Sequence, residues 1–96
     1  MFIHVFGFRW RPTGGTEEHK ARARKEILAF RNVIPGLVAV NVGRNLSQRS
    51  QGYEFCGLMT FTSKEAFDGY FAHPAHMALL EWLVPLIDPV ELDFEA

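Results

Sequence analysis

Two histidines and a tyrosine lie within one stretch of seven residues, from Tyr70 to His76. An imidazole can take a proton from an activated carbon or oxygen near neutral pH, and a phenol can hold or protonate a developing oxyanion. If Tyr70 and His76 turn toward a sheet, they face a Phe-lined space that His4 also borders. This arrangement predicts an acid–base pocket. The remaining ligand-facing residues are predicted to be Phe6, Phe8, Phe55, Gly57 and His73.

Each polar residue of this set also has a structural alternative. His73 precedes a proline and can end a helix with its ring hydrogen-bonded to the backbone. His4 lies among aromatic side chains in mid-strand, where a core histidine with satisfied hydrogen bonds is expected. Tyr70 shares a helical stripe with two phenylalanines, which suits a core role equally well. For His76, a structural hydrogen bond and a ligand-facing role are both open.

The sequence predicts neither a metal nor a cofactor. His4, His73 and His76 could supply three ligands, but His-Pro-x-His is not an established zinc spacing and no cysteine or carboxylate pattern completes it. No glycine-rich turn is followed by Lys-Ser or Lys-Thr, so a phosphate loop is not expected. Cys56 is the single cysteine. It suits a small buried hydrophobe better than a nucleophile.

Alternation and helical periodicity predict the elements that position these residues. Strands are predicted at Phe2–Trp10, Leu37–Val42 and Tyr53–Phe61, and a last strand runs through Val90, Leu92 and Phe94. A first helix begins after a Thr16 cap and ends at about Val33. A second helix begins after a Ser63 cap, is interrupted at His73–Pro74 and resumes to about Val84. The order βαββαβ predicts an α+β, ferredoxin-like fold. Its four antiparallel strands carry the helices on one face.

Composition and charge narrow the class of protein. Ninety-six residues, 48% hydrophobic and 22% charged, describe one soluble globular domain over residues 1–96. No apolar run approaches the roughly 20 residues of a membrane helix, and a secretory signal is missing, so we expect a cytoplasmic protein without membrane contact. All ten basic residues lie at or before Lys64 with four acidic ones, and the remaining 32 residues hold seven acidic and no basic residues. This split excludes a basic nucleic-acid-binding domain, and it predicts that the basic first helix and the acidic end meet within or between subunits.

The predicted sheet has a second apolar face that its helices do not cover. The residues predicted on that face are Ile3, Val5, Val38, Val40, Val42 and Leu58. An apolar patch of that kind seldom stays open to water. We therefore expect a homodimer that pairs through this sheet face.

Six segments, in this order, cover nearly the whole chain: Ile3–Phe8, Ile34–Gly36, Val42–Asn45, Gln51–Tyr53, Tyr70–His76 and Asp93–Phe94. Together they resemble the stress-responsive dimeric α/β-barrel (Dabb) family. The resemblance implies a ferredoxin-like protomer whose sheet packs on that of its twin to form a β-barrel between two subunits. Cyclase members are similar to this chain at Tyr-x-x-His-Pro-x-His, which implies Tyr70 and His76 as the catalytic pair. Phe55 stands where cyclase-type members use a further histidine, so a more apolar pocket is implied here.

Three functions from different classes are consistent with these residues. The first is a small homodimeric protein that binds an apolar or aromatic small molecule between sheet and helices. The second is a cofactor-independent, polyketide-cyclase-like lyase with His76 as general base and Tyr70 orienting or protonating the oxyanion. The third is a purely structural stress protein. Function has to be decided at the site, because one fold hosts many functions.

Overall fold

The computed structural model describes all residues, 1–96. The strands are β1 (Phe2–Trp10), β2 (Leu37–Arg44), β3 (Phe55–Phe61) and β4 (Ile87–Glu95). The helices are α1 (Glu17–Ala29), α2 (Lys64–Ala72) and α3 (Pro74–Leu83), with 3-10 turns at Phe30–Asn32 and Val84–Leu86.

The four strands form one antiparallel sheet in the order β2-β3-β1-β4, with the helices packed on one face. This confirms the predicted ferredoxin-like α+β fold. The last strand begins three residues earlier than predicted, at Ile87, and contains Pro89. Proline is tolerated there because β4 is an edge strand, where a missing N–H need not face a neighbour.

Side-chain caps start the first two helices as predicted. The Thr16 hydroxyl accepts a hydrogen bond from the His19 N–H at 3.0 Å, and the Ser63 hydroxyl accepts one from the Ala66 N–H at 3.1 Å. Each cap satisfies a backbone donor that the first helical turn leaves free. The predicted second helix is divided into α2 and α3, since His73 adopts an extended backbone between them.

The hydrophobic core lies between the sheet and the helices, and Met59 and Phe61 of β3 are completely buried at its centre. Around them pack Phe2 and Phe8 of β1, Ile27 of α1, Phe67 and Tyr70 of α2, and Leu79 and Leu83 of α3. The period-two alternation of β1 therefore places its aromatic side chains on the helix-covered face.

The prediction for β2 was wrong at two positions. Val40 and Val42 pack against the core instead of lying on the uncovered face. The cause is a register irregularity between Leu37 and Ala39, a β-bulge that leaves Val38 unpaired. One extra residue reverses the facing of every later side chain in a strand. Beyond the bulge, Ala39 and Asn41 are opposite the uncovered-face residues of β3.

The face of the sheet that no helix covers is nevertheless apolar, and we call it the open face. Val5 is paired with Leu58 on one side and with Leu92 on the other, so these three side chains form a row across it. Next to this row, Ile3 of β1 is paired with Phe94 of β4 on the same face. Leu92 is 64% exposed. In the second half of β4, alternation thus directs Val90, Leu92 and Phe94 to the open face and Glu91, Asp93 and Glu95 to the helix side.

Ion pairs inside the chain do not join α1 to β4. Lys20 lies 3.8 to 3.9 Å from Glu17 and Glu54, and Arg22 lies 2.7 Å from Glu26. The acidic end instead meets residues of β1 and the turn after it, as in the Arg11–Asp88 pair at 3.0 Å. The predicted contact between α1 and the acidic end is therefore not made by an ion pair within one chain. Attraction between subunits stays a prediction. No helix is long and apolar enough to cross a membrane.

Candidate functional site

A cavity of about 270 Å³ lies on the helix side of the sheet, bounded by β1, β4, α2 and α3. Its wall is mainly hydrophobic, with Phe6, Phe8, Ile27, Phe71, Leu79, Leu80, Leu83, Val84, Ile87 and Pro89. The polar groups that reach it are His4, Tyr70, His76 and Glu91. The predicted triad of His4, Tyr70 and His76 therefore lines one shared cavity.

The break between α2 and α3 brings Tyr70 and His76 together. Tyr70 lies in the last turn of α2 and His76 in the first turn of α3, and their ring centroids are 4.1 Å apart. Both residues are buried, and Phe30 packs edge-on against each ring. This packing holds the two rings beside each other in the wall of the cavity.

His76 has one ring nitrogen committed to the backbone. Its Nδ1 lies 3.3 Å from the Phe71 carbonyl oxygen, which can only accept, so Nδ1 carries the proton. Burial lowers the pKa of His76; the bond to Phe71 opposes this, and the nearby His4 lowers the pKa further. A neutral imidazole with Nδ1–H leaves Nε2 as a lone-pair acceptor, the form that a general base requires.

Tyr70 is held in its neutral, proton-donating form. Burial raises the pKa of its phenol well above the ordinary value of 10.0, and the Glu91 carboxylate raises the pKa further. The hydroxyl has no hydrogen-bond partner within the protein. A buried phenol of this kind can donate a hydrogen bond to a ligand oxygen, and the bond strengthens if that oxygen becomes negative.

His4 is oriented by β4. Its Nδ1 lies 2.5 Å from Asp93 Oδ1, and its Nε2 lies 4.0 Å from Glu91 Oε1. Because the carboxylate is the acceptor, Asp93 holds the proton on Nδ1 and directs Nε2 along the sheet toward Glu91. His4 is thus a buried histidine with a satisfied hydrogen bond, as its structural alternative predicted, and it also lines the cavity.

Three residues predicted to face a ligand do not line the cavity. His73 is the N-cap of α3, where its Nδ1 accepts a hydrogen bond from the Ala75 N–H at 3.0 Å. Phe55 stacks on Phe8 at 4.6 Å and borders a separate groove of about 570 Å³ that is mostly charged. Gly57 contacts the Phe6 ring, so the space it leaves is filled by that ring instead of by a ligand. Phe6 and Phe8 do line the cavity.

The sequence reading missed Asp93 and Glu91, which both belong to the site. The alternation of acidic and apolar residues in the last strand was visible in the sequence. The sequence did not show whether the acidic or the apolar residues would face the helices. The signal that could have found them is strand register: His4 pairs with Asp93 and Phe6 with Glu91, and paired residues share a face. The structure contains no group of three or more His, Cys, Asp or Glu side chains that could hold a metal ion.

This geometry defines a class of protein. It is a ferredoxin-like domain with an apolar cavity and an acid–base group between the sheet and the helices. The sequence model of the Stress responsive A/B Barrel Domain (Dabb) matches residues 4–96. The chain belongs to that family.

Individual relatives agree with this assignment. The olivetolic acid cyclase of Cannabis sativa is 33% identical over 64 residues, a stretch that spans 65% of this chain and 63% of the cyclase. A crystal structure of a protein from Arabidopsis thaliana has a TM-score of 0.88 and 27% identity, and the match covers 100% of this chain and 95% of that one. A dimeric ferredoxin-like protein of unknown function from Thermobifida fusca has a TM-score of 0.84 and 25% identity, with 99% and 90% covered.

Proposed function

We propose that this chain binds an apolar or aromatic small molecule in the cavity between the sheet and α2 and α3. The observation that carries the proposal is the cavity itself, about 270 Å³ with a hydrophobic wall onto which His4, Tyr70 and His76 converge. Ligand sites are typically apolar concavities with a few convergent polar groups, and this volume is near the small end of their range of roughly 300 to 1,000 Å³. A molecule of one or two rings suits it.

A variant that blocks the mouth of the cavity tests the proposal. Val84 borders the cavity and is 47% exposed, so Val84→Trp can cover the mouth without disturbing the core. Val33 is 50% exposed and does not line the cavity, so Val33→Trp is the matched control. We expect indole, 2-naphthol or 1-octanol to bind saturably in calorimetry, with binding lost in Val84→Trp and kept in Val33→Trp. If none of the three binds, or if both variants bind equally, the proposal is wrong.

We also propose that the protein is a homodimer joined through the open face. Support comes from the row of Leu58, Val5 and Leu92 and from the dimeric relative in Thermobifida fusca. Covering an exposed apolar patch is worth roughly 25 cal/mol for each Å² removed from water. Light scattering at micromolar concentration should give twice the mass of one chain. A monomer at that concentration contradicts the proposal.

A second candidate function is cofactor-independent lyase or cyclase chemistry, which the Tyr70–His76 pair specifically favours. In this reaction the C–H bond next to a ligand carbonyl breaks, and the proton goes to Nε2 of His76. The electron pair moves onto the carbonyl oxygen, which accepts a hydrogen bond from Tyr70. The neutral states of both groups suit these roles, and the similarity to a cyclase supports the assignment.

Isotope exchange tests this chemistry without knowledge of the natural substrate. With 2-acetylnaphthalene in D₂O, we expect the protein to accelerate deuterium incorporation into the methyl group, as followed by NMR. His76→Gln should abolish the acceleration, and Tyr70→Phe should reduce it by a factor of roughly 100 to 1,000, the range for loss of one oxyanion donor. Exchange that is unchanged in His76→Gln removes the mechanism but leaves ligand binding intact.

A further inference from the structure

The charge of the cavity is unusually one-sided. Among the residues that line it, no lysine or arginine is present, and Glu91 is the one carboxylate. A second carboxylate, Asp93, lies behind His4 and is hydrogen-bonded to it. A ligand in the cavity therefore lies near carboxylate charge, and no lining residue offers a cation to offset it.

Glu91 is positioned to act on a ligand. It is paired with Phe6 in the sheet, which directs its side chain to the helix side, and that side chain is 50% exposed at the edge of the cavity. Its ion-pair contact is with His4 alone, at 4.0 Å. Glu91 also influences the buried Tyr70 phenol, whose pKa it raises. The Glu91 carboxylate thus interacts with a buried group of the cavity and is also exposed to solvent.

We propose that Glu91 determines the charge selectivity of the cavity, which admits neutral and cationic aromatic ligands and rejects carboxylates. This inference rests on the proposed function, since it names the class of ligand that the same cavity takes. A ligand carboxylate would leave water, find no cationic partner, and lie near a like charge, all of which oppose binding. An ammonium or a hydrogen-bond donor would instead be a partner for the Glu91 carboxylate.

Three ligands of nearly equal shape separate charge from fit: 2-naphthylmethanol, 2-naphthylmethylammonium and 2-naphthoate. In calorimetry with the unmodified protein, we expect naphthoate to bind at least about tenfold more weakly than the alcohol, and the ammonium to bind at least as tightly as the alcohol. In Glu91→Gln, naphthoate should gain about tenfold, the ammonium should lose a similar factor, and the alcohol should change by less than about twofold.

Glu95→Gln is the matched control, because it removes the same charge from the same strand and the same side of the sheet but lies outside the cavity. It should leave the order of the three ligands unchanged. Charge selectivity is overturned if naphthoate binds the unmodified protein as tightly as the alcohol does, or if Glu91→Gln and Glu95→Gln have equal effects. If none of the three ligands binds any of the proteins, the proposed function itself fails.

Discussion

The helix side and the open face of the sheet differ in the polarity of the side chains that β4 places on them. On the helix side, Met59 and Phe61 are fully buried, yet β4 contributes Glu91 and Asp93 to that same side. On the open face, no helix is present, yet β4 contributes Leu92 and Phe94. An edge strand over a solvated face usually has the opposite polarity, with apolar residues toward the core. In the second half of β4 this polarity is reversed, with Glu91 and Asp93 on the helix side and Leu92 and Phe94 on the open face.

Alternation along β4 allows one strand to contribute to both proposed contacts. Side chains with period two alternate strictly between the faces, so β4 can place carboxylates beside a cavity and apolar groups on an outer surface without compromise. The proposed small molecule would occupy the cavity on the helix side, and the proposed second subunit would cover the apolar row on the open face. Substitutions can therefore disrupt one face while sparing the other.

The largest effect is expected on the open face, from Leu92→Glu. This side chain is 64% exposed in one chain, so a carboxylate there does not harm the protomer, but in the dimer it would be buried without a partner. A buried unpaired charge costs about 3 kcal/mol or more, which is roughly a hundredfold in dimer affinity. Sedimentation velocity over a concentration series measures this loss.

Met77→Glu is the control for that experiment, because Met77 is 54% exposed on α3, on the opposite side of the molecule. It should leave the dimer intact. A Leu92→Glu protein that dimerises as tightly as the unmodified one would show that the open face is not the interface.

A substitution at Gly57 tests the helix side by steric means. A Cβ at this position would overlap the Phe6 ring and lie 2.9 Å from the Asn41 carbonyl oxygen, so Gly57→Ala must displace the ring. We expect a loss of about 1 to 3 kcal/mol in the free energy of unfolding and weaker binding of 2-naphthol, since Phe6 is part of the cavity wall. Urea denaturation and calorimetry measure the two effects.

Gly69→Ala is the matched control. A Cβ on Gly69 would meet no atom within 4 Å, and alanine favours the helix that contains it. Its stability should be unchanged or slightly higher. Equal stability of the Gly57→Ala and unmodified proteins would mean that the Phe6 ring is not confined there.

Substitutions at His73 distinguish a helix-capping role from contact with a ligand. Loss of the bond from the Ala75 N–H in His73→Ala should lower the free energy of unfolding by about 1 kcal/mol. His73→Asn should restore most of it, because asparagine is a good N-cap. Affinity for 2-naphthol should be the same in all three proteins. A loss of affinity in both variants without a loss of stability would instead put His73 in the binding site.

The smallest expected effect is the pH dependence that His76 contributes. Burial lowers the pKa of His76 in the folded chain below the value of 6.5. The unfolded chain therefore binds the proton more readily, and this contribution to stability is complete above about pH 6.5 and is lost as the pH falls toward the lowered pKa. Urea denaturation from about pH 5 to about pH 8 should show a shallower acid loss in His76→Gln. Identical slopes in the two proteins would contradict this.

Much of the fold was predictable because its signals are local. The strand at Phe2–Trp10, the caps at Thr16 and Ser63, and the helix break at His73 all follow from periodicity, cap chemistry and a proline. The facing of Val40 and Val42 was not predictable, since the bulge at Val38 is a pairing irregularity with no signature of its own in the sequence.

The candidate site was predictable only in part, for the same reason. Tyr70 and His76 are close in sequence and share a helix break, so their proximity could be inferred. The bond between His4 and Asp93 joins residues 89 positions apart and depends on the register of β1 with β4. Gly57 was predicted to face a ligand, but it does not line the cavity. The space that its missing side chain leaves is occupied by the Phe6 ring, which only tertiary packing decides.

A titration of methyl-labelled protein with 2-naphthol, followed by NMR, tests the division between the two faces most directly. We expect saturable shifts in the methyl groups of Ile27, Leu79 and Leu83, which line the cavity. The methyl groups of Ile3 and Val5 on the open face should not respond. Shifts confined to Ile3 and Val5, or the absence of any saturable shift, would contradict the assignment of ligand binding to the helix side.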